Sequence, residues 1–128
     1  MYNFEPKLIS KPFAEALEEV KKVITDTGFT IVSEIPVSDK IRNKLGVDYS
    51  NYTIIGFCQV KIAKALIDAE PHIGTMLPCN LVIRETETNV CEVAVVDLAK
   101  SLSVANNPDL APILEEANAL LAKLHSAL

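Results

Sequence analysis

Residues 52–60, YTIIGFCQV, constrain the fold more than any other stretch. Strand alternation puts Tyr52, Ile54 and Cys58 on one face and Thr53, Ile55 and Phe57 on the other. Both faces are largely apolar, which places the strand inside a sheet rather than at its edge. Gly56 in its middle marks a bulge or a close approach by another group.

The rest of the chain supplies the sheet and its cover. Residues YNFEPKLI read as a short strand, and Pro6 favours an edge because proline cannot donate to a ladder. Over residues 12–27 the apolar positions Phe13, Ala16, Leu17, Val20 and Ile24 recur at helical spacing, with Pro12 in the first turn and Gly28 suited to the left-handed position beyond the end. FTIVSEIPV alternates as a strand with Phe29, Ile31, Ile35 and Val37 inward. Ser38 is placed to cap a short helix, DKIRNKL, with Ile41 and Leu45 inward, Gly46 as terminator, and Lys40, Arg42 and Lys44 as a solvated basic flank.

KIAKALIDA predicts a second amphipathic helix with Ile62, Ala63, Leu66 and Ile67 buried, closed by Pro71. After the connection PHIGTMLPCN, the runs LVIRE and VCEVAVV form a hairpin around TETN. A final helix over residues 108–128 carries the stripe Leu110, Ile113, Leu114, Ala117, Leu121, Leu124 and Leu128, which needs a sheet or a partner to cover it. The element order indicates one α+β domain over residues 1–128, a mainly antiparallel sheet of about five strands with helices packed on one face. Its apolar stripes exceed what one small sheet covers, and a homodimer is expected.

Charge and cysteine usage exclude several classes of function. A net charge of −5 is the wrong sign for binding phosphate backbones or anionic membrane surfaces, so no nucleic acid or membrane partner is expected. No apolar run reaches the roughly 18 residues of a membrane span, and the acid and proline of MYNFEPKLIS do not suit a signal peptide. Three cysteines without a C-x-x-C pair suit a reducing compartment, and a cytoplasmic protein without disulfides follows.

The chemically distinctive residues gather in and beside the connection. Cys58, His72 and Cys79 could ligate zinc, but no close ligand pair and no fourth ligand accompany them, so neither metal nor cofactor is expected. Cys58 and Cys91, both mid-strand, read as small buried apolar residues. Cys79 follows Pro78 at a strand entrance, where it can face a cleft, and pairing with His72 would lower its pKa and make a nucleophile. His125, near a helix C-terminus, needs only the dipole to explain it. No phosphate loop, H-E-x-x-H, G-x-S-x-G or paired-carboxylate arrangement is present.

The run KLGVDYSNYTIIGFCQVKIAKALIDAEPHIGTMLPCNLVI, followed by NPDLAPILEEA, resembles the bacterial and archaeal family called domain of unknown function 302, most specifically at Gly56-x-Cys58 and at Leu77-Pro78-Cys79-Asn80. The resemblance implies a TATA-box-binding-protein-like architecture, a curved antiparallel sheet with helices on it, and no established activity; shared architecture does not carry DNA binding with it. This chain has Gln59-Val60 where Asn-Pro often follows the first cysteine, and Leu98 where a proline often follows Asp97.

Two functions fit these residues. The first is a binding module for a small molecule or a protein in the concavity between the sheet and residues 71–80, drawing on Tyr52, Gly56, Cys58, His72, Gly74, Cys79 and Asn80. The second is a thiol-dependent enzyme or redox sensor using Cys79 with His72.

Overall fold

The strand expected inside the sheet is inside it. In the computed structural model, which describes residues 1–128, β3 (Tyr52–Cys58) lies between β2 (Thr30–Ile35) and β4 (Cys79–Glu87). Beyond β4 come β5 (Val90–Val95) and the edge strand β1 (Lys7–Ile9), all neighbours running antiparallel. Pro6 immediately precedes that edge strand, where its missing donor breaks no ladder.

The pleat divides the sheet into a covered and an open face. Phe57 pairs with Cys79, Ile55 with Leu81 and Thr53 with Ile83, while Ile83 and Leu81 meet Val93 and Val95 on β5. All of these are buried. Their alternates Ile54, Val82, Arg84 and Ala94 lie half-buried or exposed on the opposite side.

Helices cover one face only. The covering elements are α1 (Phe13–Asp26), α3 (Val60–Ala69) and α5 (Ala111–Ala127). They bury Ala16, Val20 and Ile24; Ile62 and Leu66; and Leu114, Ala117, Leu121 and Leu124. With the inward strand residues these make one continuous core of 22 buried residues. Burying a Leu or Ile side chain contributes about 1.5–3 kcal/mol, so the helix stripes carry much of the fold's stability. Gly28, at φ +97°, takes the left-handed position after α1. The N-terminal segment is fastened by His125 of α5, whose Nε2–H donates to the Glu5 carbonyl at 2.7 Å while the ring stacks on Phe4.

Several local expectations are corrected. Ser38 does not cap a helix: it lies inside α2 (Val37–Leu45), which starts after Pro36. Its Oγ instead accepts from the Tyr52 N–H at 3.0 Å and donates to the Tyr52 carbonyl at 3.3 Å, joining α2 to β3. That tie holds the first turn of α2 to the sheet, and the last turn carries Leu45 into solvent. Arg42, on the solvated flank, does more than carry charge: its guanidinium donates to the Tyr49 carbonyl, Asp39 and Asn51 beside the loop into β3. A bulge between Ile31 and Ser33 breaks the alternation of β2 and turns Ile35 outward. Ile67, on the flank of α3, is exposed as well. The final helix starts later than its stripe suggests, because Pro108–Leu110 form a 3₁₀ turn capped by Asn107, whose Oδ1 accepts from the Asp109 N–H. The short α4 (Leu98–Ser101) follows β5.

Candidate functional site

β3 ends and β4 begins at the same end of the sheet, and the space between that end and α3 is a small apolar cavity. Its volume is about 250 Å³, and eleven of its fourteen lining residues are hydrophobic. The sheet gives Cys58 and Cys79, and α3 gives Ile62, Ala63, Leu66 and Ile67. Gly74, Leu77 and Pro78 come from the connection, and Phe29, Leu98, Ala117 and Leu121 close the inner wall. Gln59 is the one lining residue with a polar amide, and no charged side chain takes part.

Local chemistry fixes these walls. Gln59 is the single residue between β3 and α3, and its Oε1 accepts from the Ile62 N–H at 2.9 Å, capping the helix and turning the chain sharply. Pro71 starts a 3₁₀ helix, Pro71–Met76, which the buried Ile73 anchors beneath. Asn107 clamps the end of α3 by donating to Glu70 Oε2 at 2.8 Å and to the Ala69 carbonyl at 3.4 Å. Behind the inner wall, Asn118 of α5 accepts from the Leu98 and Ala99 N–H groups and donates to Asp97 Oδ1 at 2.8 Å. Asp97 also caps α4 by accepting from the Lys100 N–H. This satisfied network holds Leu98 against the cavity. Sequence reading missed Asn118; the signal was an amide set between Ala117 and Leu121 in an otherwise apolar stripe.

Five of the seven expected site residues fall into two groups, and Gly56 and His72 belong to neither. Cys58, Gly74 and Cys79 meet in the cavity. Tyr52 and Asn80 lie on the open face of the sheet, in a shallow groove with Tyr2, Asn3 and Arg84. Gly56 is between the two, packed under Ser33 and Pro78 and closed to any ligand. His72 is exposed on the 3₁₀ helix and takes no part in the cavity lining, so no Cys79–His72 pair is assembled there.

The cysteines exchange the environments expected of them. Cys79 is 8% exposed, because its pairing with Phe57 places it on the covered face of the pleat. Burial, reinforced by the neighbouring Cys58 thiol, pushes the Cys79 thiol up to about 11, away from a reactive thiolate. Cys58, at the strand end, is half-buried on the rim. Cys91 is fully buried below the far end of the sheet, donating to the Lys11 carbonyl at 3.6 Å, and burial raises its thiol too. All three cysteines are free. Nowhere do three or more His, Cys, Asp or Glu side chains converge as metal ligands, and no helix is long and apolar enough to cross a membrane.

A family model described as "Domain of unknown function DUF302" matches residues 7–128. The chain is similar in structure to an uncharacterized conserved DUF302 protein from Bacillus stearothermophilus, with a TM-score of 0.87 at 21% identity over 99% of this chain and 98% of that one. At that identity the likeness establishes the five-stranded α+β fold. No curated protein matches.

Proposed function

The chain belongs to the DUF302 family, whose description assigns no activity, and we propose that this member is a binding module which takes the apolar part of a small molecule between α3, the 71–80 connection and α5. The observation that carries this reading is the cavity itself, with eleven hydrophobic residues among fourteen and no charged one. At about 250 Å³ it falls just below the size of pockets that enclose a drug-sized ligand, which run from about 300 Å³ upward, so it takes only part of a small molecule. Burying a charge against such walls costs several kcal/mol, so the enclosed end of the ligand is uncharged and any polar group lies towards Gln59 and the rim. The upward shift of the Cys79 thiol favours this reading over a thiol enzyme. Three free thiols suit a cytoplasmic location.

Ligand-observed NMR with a series of straight-chain alcohols, butanol to decanol, tests the proposal. Saturable binding is expected to strengthen with chain length and then reach a cutoff as the cavity fills. Ala63→Phe, which puts a ring into the cavity from α3, is expected to abolish it without loss of fold by circular dichroism. Equal signals in Ala63→Phe, or no saturable binding by any alcohol, would reject the reading.

A further inference from the structure

We propose that Cys58 and Cys79 form a two-sulfur site for a soft monovalent d¹⁰ cation, cuprous copper, at the rim of the apolar cavity. The two residues end β3 and begin β4 and both line that cavity. Cys79 stands opposite Phe57, the residue before Cys58, so antiparallel spacings set their Cα atoms roughly 5.5–6.5 Å apart. Within a strand the pleat would send the two side chains to opposite faces. Cys58 is the final strand residue, however, and both it and Cys79 line the same cavity.

The surroundings select the ion. Zinc in a structural site takes four ligands, and no third Cys, His, Asp or Glu joins this pair. Calcium and magnesium require oxygen ligands, whereas Gln59 brings the only side-chain oxygen to these walls. Thiolate sulfur selects cuprous copper, which is satisfied by two such ligands in a linear arrangement. On binding, each thiol gives its proton to solvent, two Cu–S bonds form, and no electron is transferred. Cys58 leaves the resulting anionic centre open to water on one side, and the wall around Cys79 excludes competing hard ligands.

The test is an anaerobic titration with Cu(I) against a chromophoric Cu(I) chelator, followed by X-ray absorption on the loaded protein. One copper per chain with two sulfur neighbours is expected. Losing a direct ligand should weaken binding by at least about 100-fold in Cys58→Ser, while His72→Ala, at an exposed residue outside the cavity, leaves it unchanged. Cys58 is only half-buried, at a strand end, so this variant is expected to keep the fold even where the buried Cys79→Ser does not. Unaltered binding in Cys58→Ser, loss in His72→Ala, or equally tight uptake of zinc by the native chain would overturn the assignment. Copper uptake reads the sulfurs and the alcohol series reads the walls, so either proposal can fail without the other.

Discussion

Ser33 and Gly56 face each other across the β2–β3 ladder with no room between them for a methyl group. A Cβ at position 56 would meet the Ser33 hydroxyl and come within 2.8 Å of the Pro78 ring. The serine can rotate, but the ring is fixed at the start of β4. Gly56→Ala is therefore expected to lower stability by about 1–3 kcal/mol, read as a lower urea midpoint at unchanged slope. Gly74, with nothing within 4 Å of a Cβ, provides the contrast, and Gly74→Ala should change stability by less than about 0.5 kcal/mol.

Thiol reactivity should follow the exchanged environments. Cys58 is expected to be alkylated first in the native protein, with Cys79 and Cys91 reacting only on unfolding. Peptide mapping after brief iodoacetamide treatment gives the order. His72→Ala should leave every rate unchanged, because the exposed imidazole has no place in the cavity.

The buried thiol also makes stability depend on pH. Cys79 moves from an ordinary value of 9.0 to about 11 in the folded chain. Between these values the unfolded chain has released a proton that the folded chain keeps, so the thiol's contribution is whole below the lower value and is lost as pH rises through the upper one. Two pKa units correspond to about 2–3 kcal/mol. Urea unfolding of wild type and Cys79→Ala from about pH 8 to about pH 11 should show wild type losing stability relative to the variant by up to that amount. A pH-independent difference would mean that the thiol is not shielded.

Ser38 is 2% exposed and satisfies both backbone groups of Tyr52. Ser38→Ala leaves them without that partner and is expected to cost about 1–3 kcal/mol. The loss should appear in hydrogen exchange as reduced protection of the Tyr52 amide before that of the β4–β5 hairpin.

What could be read from the sequence was what periodicity encodes. The buried positions Ala16, Val20 and Ile24 of α1, and Leu114, Leu121 and Leu124 of α5, were visible as stripes, and the apolar faces of residues 52–60 placed β3 inside the sheet. Departures arose where tertiary pairing overrides local pattern. Whether Cys58 or Cys79 is buried depends on the register that pairs Phe57 with Cys79, and no local pattern states it. Ser38 has the composition of a helix cap, yet its hydroxyl serves a strand fourteen positions away. The candidate residues in residues 52–80 were scattered between two faces for the same reason, because Asn80 and Cys79 are adjacent in sequence and opposite in the pleat.

The cavity draws its walls from Phe29 through Leu121, with Ala117 and Leu121 contributed by α5. During synthesis the sheet strands leave the ribosome before α5, so until that helix has been made the cavity lacks the part of its wall that Ala117 and Leu121 supply. The cavity is thus completed only once α5 docks, and a chain lacking that helix leaves its apolar walls unfinished.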